Sequence, residues 1–182
     1  EILGKLGIDT VFMVPGANIS PIMNEMTLQR YVSPVVAAHE AGAAYMADGY
    51  SRMKGVPGVA IVNGCPGLSN LITELLIAKS EYIPLLIISG DIPLSLQNMQ
   101  GFQEAGPAGS NDLLITRSLT KSSRRINHIE ELPAIFEEAL EFVKEDTIGP
   151  VHLVIPYDLL EESVPGINLP SNNGLVAHNI KH

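Results

Sequence analysis

The sequence contains one cysteine, no tryptophan, few aromatic residues and no long hydrophobic run. The lone Cys65 excludes an internal disulfide bond and predicts a reducing, cytoplasmic compartment. No apolar run approaches the ~18 residues that span a bilayer, and no signal-peptide pattern is present, so we expect no membrane association. Acidic residues outnumber basic ones by 20 to 11, and the formal charge of -9 argues against nucleic acid as a partner.

Basic residues and metal ligands are equally sparse. The one basic cluster, Lys121 with Arg124 and Arg125, is small, and we interpret it as the solvated end of a strand. The histidines are scattered along the chain, so we predict no metal site in it. The glycine-rich segment after residue 62 has neither a Lys-Ser/Thr pair nor the Rossmann glycine spacing, which argues against a P-loop or a dinucleotide site.

The chain has the size and composition of one globular domain, with 182 residues of which 46% are hydrophobic and 17% charged. We expect this domain to comprise residues 1–163 and to be truncated at its N-terminus, because the sequence begins without Met inside a helix that Gly7 ends. Residues 164–182 are rich in proline, glycine and asparagine without periodicity, which predicts a linker toward an absent central domain.

Apolar runs alternate with helix-period segments along the domain. Several runs are continuously apolar, which is typical of parallel strands buried on both faces. Repeated strand–helix–strand order therefore predicts an α/β fold with a doubly wound, six-stranded parallel sheet in three α/β/α layers. The predicted strands are residues 11–14, 34–37, 58–62, 84–89, 119–124 and 151–155, and the predicted helices are 19–27, 40–54, 68–80 and 131–144.

A carboxylate among small residues is the most informative feature of the sequence. Glu40 follows an apolar run and begins a segment rich in alanine and glycine, which predicts a strand that delivers an acid to the start of a helix. Ligands of open α/β sheets bind at that end of the strands. If Glu40 is buried, it can hold or share a proton near neutrality. If it is exposed, it only complements the helix dipole, and the local sequence by itself favours this alternative.

Three predicted strands end in small, turn-forming residues where a ligand could approach the backbone. Pro15 and Gly16 follow the first strand, and the loop from Pro66 and Gly67 to Asn70 follows the third. The fourth strand is followed by a stretch that extends to residue 118. We predict it to be functional, because it is too long for an ordinary connector.

Taken in order, these segments resemble the N-terminal pyrimidine-binding domain of the thiamine-diphosphate enzymes of the acetolactate synthase, pyruvate oxidase and benzoylformate decarboxylase group. The matching segments are residues 11–17, 39–40, 43–52, 66–70, 84–90 and 102–104. The Pro-Gly-Ala element at 15–17 and the Phe-Gln-Glu element at 102–104 are most similar to acetolactate synthase (acetohydroxyacid synthase) large subunits.

The resemblance implies that the residue matching Glu40 hydrogen-bonds the pyrimidine N1′ of thiamine diphosphate. It moves the proton that activates the cofactor toward a 2-oxo acid such as pyruvate, which is then decarboxylated and ligated. The residue matching Gln103 faces bound substrate, although a loop glutamine could equally be solvent-exposed. The residues that match the lining of the pyrimidine pocket, or that only form turns, are Pro15, Gly16, Pro66, Gly67 and Asn70.

The same resemblance implies that half of the active site lies elsewhere. In the family, Mg2+ and the diphosphate are held by a second domain with a Gly-Asp-Gly…Asn motif that does not occur here. We therefore expect the isolated chain to be inactive and to pair in a homodimer or tetramer near the predicted helix 40–54. FAD is an optional cofactor of the full-length enzyme.

Two departures and two alternatives remain. The family usually has glycine where this chain has Cys65, and the segment after Gln103 is longer than in acetolactate synthases. We favour an excised domain of a full-length enzyme. The alternatives are the smaller chain of a two-chain decarboxylase of the sulfopyruvate or phosphonopyruvate type and a non-catalytic interaction module.

Overall fold

Six parallel strands form one sheet in the order β2-β1-β3-β4-β6-β5. The computed structural model of the chain describes residues 2–5, 7–141 and 148–163, so the linker predicted at 164–182 lies outside the described residues. The strands are β1 (Thr10–Met13), β2 (Ser33–Val36), β3 (Gly58–Asn63), β4 (Leu85–Asp91), β5 (Ser122–Arg125) and β6 (Val151–Pro156). The predicted α/β fold with a six-stranded parallel sheet is confirmed.

Helices cover both faces of this sheet. They are α1 (Ile2–Lys5), α2 (Ser20–Gln29), α3 (Glu40–Lys54), α4 (Ile72–Ser80), α5 (Asp112–Thr116), α6 (Leu132–Glu141) and α7 (Tyr157–Leu160). One-turn 3-10 helices lead into α2, α4 and α6, at Ala17–Ile19, Ser69–Leu71 and Ile129–Glu131, and a fourth lies at Leu94–Leu96. The predicted end of α6 at residue 144 lies outside the described residues.

Alternate strand residues enter two separate cores. Val59 and Ile61 of β3 pack toward α2, α6 and α7, whereas Ala60 and Val62 pack toward α3 and α4. This alternation is what a sheet buried on both faces requires, because successive side chains of a strand point to opposite sides. Helix α3 lies very close to the sheet, since a Cβ on Gly58 would come within 2.0 Å of the carbonyl oxygen of Ala47.

The strand predicted at 119–124 was wrong at its start, whereas the strand predicted at 34–37 is present as β2. The predicted strand 119–124 begins only at Ser122, because Leu119 and Thr120 still hydrogen-bond the carbonyl of Thr116 and continue the turn after α5. Strand β2 is exposed at every position, because it forms one edge of the sheet instead of lying within it.

The ends of helix α3 follow directly from sequence. His39 caps its N-terminus, where Nδ1 accepts a hydrogen bond of 3.2 Å from the backbone N–H of Ala41. Gly55 ends the helix in the left-handed region at φ 69°. Strand β1 lies between β2 and β3, and α2 and α3 cover opposite faces. The topological switch point, where ligands bind in open sheets, is therefore at the carboxyl ends of β1 and β3.

Candidate functional site

Three loops meet at this switch point, and Asn63, the last residue of β3, links them. Its Oδ1 accepts a hydrogen bond of 3.2 Å from the backbone N–H of Asn18, in the loop after β1. Its Nδ2 donates a hydrogen bond of 3.1 Å to Oε1 of Gln103, in the segment after β4. Asn63 was not recognised as a site residue from the sequence, because its two hydrogen-bond partners are 45 and 40 residues away along the chain.

The two glycines predicted at this site both pack against Asn63. A Cβ on Gly16 would lie 2.4 Å from the side-chain Cγ of Asn63. A Cβ on Gly67 would lie 2.6 Å from the backbone carbonyl oxygen of Asn63. Such distances are far below van der Waals contact, so neither position accepts a larger residue without movement. The glycines therefore have a packing role in the chain itself, beyond forming turns.

Glu40 is the first residue of α3, and its Oε2 accepts a hydrogen bond of 2.8 Å from Nδ2 of Asn70. Its side chain is only partly buried, and its Oε1 makes no hydrogen bond within the described residues. Glu40 is thus neither fully buried nor fully exposed among the described residues. One carboxylate oxygen is free to meet a ligand.

The remaining predicted site residues lie in the loops after β1 and β3. Pro15, Pro66 and Asn70 are exposed, whereas Gly67 is buried. The carbonyl of Pro66 accepts hydrogen bonds from the hydroxyl of Ser69, at 2.7 Å, and from the backbone N–H of Asn70, at 3.4 Å. These bonds fix the turn that directs Asn70 toward Glu40.

The loop that contains Pro66 is also anchored from the other side. The peptide bond between Cys65 and Pro66 is cis, and the backbone N–H of Cys65 donates a hydrogen bond of 3.1 Å to Oδ2 of Asp112. Asp112 is fully buried at the start of α5, and this burial raises its pKa to about 6. Cys65 itself is partly buried and free.

Buried carboxylates order the long segment predicted to be functional. Glu104 is 2% exposed, and its two oxygens accept hydrogen bonds from the backbone N–H groups of Asn98, at 2.7 Å, and Gly101, at 3.1 Å. Gln103, next to it, is partly buried and has a left-handed backbone at φ 63°, which is uncommon for a residue other than glycine. The segment is thus a fixed loop that presents Gln103 to Asn63.

The basic cluster was misinterpreted in part. Arg125 is not solvated: its guanidinium forms a buried ion pair with Asp91, whose side chain is fully buried at the end of β4. Arg124 does lie at the surface, paired with Glu138. The alternation of strand residues explains the difference, because neighbours on β5 point to opposite faces.

The described residues contain no group of three or more His, Cys, Asp or Glu side chains that could hold a metal ion. Among them there is also no helix with the length and apolar character needed to cross a bilayer. The candidate site contains the carboxylate of Glu40, whose Oε1 has no hydrogen-bond partner among the described residues, and the side-chain amide of Asn63, which hydrogen bonds hold in place. A ligand can approach the backbone of the glycine-containing loops closely. This arrangement can orient a planar polar ligand and exchange a proton with it.

The chain is similar in sequence to proteins of one family. Residues 1–110 match the family model described as thiamine pyrophosphate enzyme, N-terminal TPP binding domain. The chain is 35% identical over 177 residues to the mitochondrial acetolactate synthase catalytic subunit of Saccharomyces cerevisiae, a match that covers 94% of this chain and 25% of that protein. It is 33% identical over 159 residues to the acetolactate synthase isozyme 1 large subunit of Escherichia coli, covering 87% and 27%.

A solved structure supports the fold. Benzoylformate decarboxylase from Polynucleobacter necessarius superposes with a TM-score of 0.84 at 24% identity, over 93% of this chain and 31% of that one. The chain thus spans only about a quarter to a third of the length of the proteins it matches.

Proposed function

This chain belongs to the thiamine pyrophosphate enzyme family, as its N-terminal TPP-binding domain, and on that premise we propose that it supplies the pyrimidine-binding half of an enzyme acting on 2-oxo acids. The similarity to acetolactate synthases favours decarboxylation of pyruvate followed by carboligation. The observation that supports this best is Glu40, held at the start of α3 beside the switch point with one carboxylate oxygen free.

The residues fit one half of thiamine diphosphate. Pro15 and Pro66 are exposed in the loops after β1 and β3, and we propose that the pyrimidine ring lies against these loops near Glu40. No group among the described residues is suited to hold a metal-bound diphosphate, so we propose that Mg2+ and the diphosphate are held by another domain. When bound, the cofactor supplies a nucleophilic carbon and an electron sink for decarboxylation.

Glu40 has the task of exchanging a proton with the pyrimidine N1′. A carboxylate does this best when water is excluded, because burial makes the protonated form accessible near neutral pH. Glu40 is only partly buried among the described residues, so we propose that another part of the enzyme covers it. Asn70 holds Oε2 of Glu40, and we propose that Oε1 meets the pyrimidine. Gln103 is proposed to contact the bound substrate.

We propose that the chain is the N-terminal domain of a longer enzyme, in which FAD is an optional cofactor. Residues 164–182 then join this domain to the next one. The lone Cys65 favours a reducing compartment such as the cytoplasm.

We propose homo-oligomeric assembly through α3, which presents an unpartnered face. Tyr45 is 45% exposed and Met53 is 86% exposed on this helix, and Leu76 of α4 is 52% exposed. Gly49 lies on the same side, four residues from both Tyr45 and Met53, and a Cβ there would touch nothing within 4 Å. Glycine in a helix interior lowers the free energy of unfolding by about 0.5–1 kcal/mol relative to alanine. We propose that Gly49 is present because it lets another helix approach closely.

Gly49→Ala distinguishes assembly from folding. In the monomer this substitution should raise the free energy of unfolding by up to about 1 kcal/mol, because alanine favours the helix and meets no neighbour. In the oligomer it should weaken association, as measured by light scattering over a concentration series. A strictly monomeric mass for the wild-type chain at high concentration would argue against the proposed surface.

Turnover tests the function itself. The protein expressed from its complete reading frame should release carbon dioxide from pyruvate only with thiamine diphosphate and Mg2+, and the 182-residue chain alone should release none. Activity of the purified short chain would show that the half-site interpretation is wrong. Absence of cofactor-dependent turnover of any 2-oxo acid by the complete protein would show that the proposed reaction is wrong.

A further inference from the structure

Two side-chain amides are linked in series at the carboxyl end of β3, and one backbone N–H determines the orientation of both. A backbone N–H can only donate, so the Asn63 atom that faces the N–H of Asn18 at 3.2 Å is the oxygen. The Asn63 nitrogen therefore faces Gln103. Because that nitrogen also only donates, the Gln103 atom it meets at 3.1 Å is Oε1.

Asn63 has little freedom to rotate away from this arrangement. The backbone of Gly16 lies so close to the side-chain amide that a Cβ there would come within 2.4 Å of its Cγ and Oδ1. Gly67 lies against the backbone carbonyl oxygen of Asn63 and restrains the main chain at this position. Exchanging oxygen and nitrogen in place would set an NH2 group against the N–H of Asn18, leaving two donors facing each other. The orientation is therefore fixed by packing and by hydrogen bonding together.

The backbone of Gln103 is fixed as well. It lies in the left-handed region, and the next residue, Glu104, hydrogen-bonds Gly101 both through its own N–H, at 3.2 Å to the carbonyl, and through its carboxylate. Gln103 is partly exposed, and its Nε2 makes no hydrogen bond to a described residue. The side of Gln103 that is free to meet a ligand is consequently its NH2 group, which is a donor only.

We propose that Asn63 is a positioning residue that makes Gln103 a dedicated hydrogen-bond donor toward the bound substrate. A donor at this point selects a ligand oxygen that accepts, as the carboxylate or carbonyl of a 2-oxo acid does. It disfavours a ligand that presents a donor there, because two donors would then face each other. The proposal rests on the function proposed above, and it deepens that function by assigning the specificity of the substrate contact to a residue outside the recognised motifs.

The orientation is measurable in the ligand-free protein. In the protein expressed from its complete reading frame, with 15N in the side-chain amides of either asparagine or glutamine, one Asn63 amide proton should exchange slowly with solvent. The resonance of this Asn63 proton should shift in the Gln103→Met variant. In the wild type, both amide protons of Gln103 should exchange fast with solvent. In Asn63→Asp, which can only accept, the slowly exchanging proton should move to Gln103. A slowly exchanging Gln103 proton in the wild type would overturn the proposal.

Kinetics test the consequence without adding a charge. Asn63→Ala frees the Gln103 amide to rotate, so KM for the 2-oxo acid should rise about two- to tenfold, the effect of one hydrogen bond. The kcat and the dissociation constant for thiamine diphosphate should change by less than about threefold. Asn24→Ala on the exposed side of α2 is the matched control. Equal losses in KM, kcat and cofactor affinity would indicate a merely structural role and overturn the proposal.

The two tests separate this proposal from the function on which it rests. If the wild-type protein shows no cofactor-dependent turnover, the proposed function fails, and the amide spectra still decide whether Asn63 orients Gln103. If the wild type is active but its KM is unchanged in Asn63→Ala, the proposed function stands and the positioning role is wrong.

Discussion

The carboxylates at the carboxyl end of the sheet fall into two regions that use the same chemical group in opposite ways. On the β4 and β5 side, Asp91 and Glu104 are buried and every oxygen has a hydrogen-bond donor. On the β1 and β3 side, Glu40 is partly exposed and has one bonded and one free oxygen. A carboxylate whose acceptors are all occupied holds structure, whereas one with a free oxygen is available for chemistry.

The contacts of the buried region explain how the long loop after β4 holds Gln103 in place. Asp91 accepts hydrogen bonds from the backbone N–H groups of Ile92, at 2.8 Å, and Ala105, at 2.7 Å, and it also pairs with Arg125. These contacts join the start of the loop to its middle and to β5. Mutations in the buried region should therefore lower the free energy of unfolding strongly and affect proton exchange with the cofactor weakly. Mutations around Glu40 should have the opposite pattern.

The largest effect on folding is expected from Arg125→Met, which leaves Asp91 buried without its cation. Breaking a buried pair in this way costs about 3–5 kcal/mol of unfolding free energy. Arg124→Met on the same strand is the control, since its pair with Glu138 is exposed and should contribute at most about 1 kcal/mol. Urea unfolding of the chain measures both. Similar losses for the two arginines would remove the distinction between the regions.

Another buried carboxylate, that of Glu74, has no backbone N–H donor among the described residues and should behave differently. Glu74 on α4 is fully buried with no hydrogen-bond partner among the described residues, and burial together with the nearby carboxyl of Asp48 raises its pKa to about 8. This value exceeds the ordinary 4.5, so the folded state binds the extra proton between these pH values. The free energy of unfolding should therefore fall as pH rises from about 5 to 8.

Glu74→Gln should abolish that decline and be more stable than wild type at pH 9 by about 1–3 kcal/mol, the cost of a buried unpaired polar group. Urea unfolding at pH 5, 7 and 9 measures the difference. Glu25→Gln is the control, because Glu25 is exposed on α2, which packs against the opposite face of the sheet from α4. Parallel pH profiles for wild type and Glu74→Gln would contradict the assignment.

Asn70→Ala should have a small effect on folding and a distinct effect on the site. Asn70 is exposed, so the free energy of unfolding should change by less than about 0.5 kcal/mol. Losing its hydrogen bond frees the Glu40 carboxylate to rotate, which should slow proton exchange at C2 of bound thiamine diphosphate by up to about tenfold. A stability loss as large as that of Arg125→Met would place Asn70 in the structural region instead.

Much of the fold could be predicted because the signals are local. Helix α3 has the predicted bounds, since His39 and Gly55 provide a cap and a stop that are visible in sequence. Helix α5 was not predicted, because its five residues have no periodicity. It is anchored by long-range contacts instead, notably the hydrogen bond of 2.9 Å between Thr116 and the buried His152.

The site was predictable only where its residues belong to motifs. Glu40, Gln103 and the two glycines stand in recognisable segments, whereas Asn63 owes its importance to partners brought near by the fold. Arg125 looked like a surface residue because its partner Asp91 is 34 residues away. The burial of Glu40 could not be decided from sequence, since its immediate neighbours in this chain leave it partly open.

The most direct test of the central claim is deuterium exchange at C2 of thiamine diphosphate bound to the protein expressed from its complete reading frame. Wild type should be compared at equal cofactor occupancy with Glu40→Gln, and with Glu25→Gln on the exposed side of α2 as the control. Gln keeps the shape of Glu40 and should change the free energy of unfolding by less than about 0.5 kcal/mol. Exchange in Glu40→Gln should be slower by about 10²–10⁴-fold, the effect of a lost acid–base group. Equal exchange rates in wild type and Glu40→Gln would show that Glu40 only complements the dipole of α3, and would contradict its proposed role.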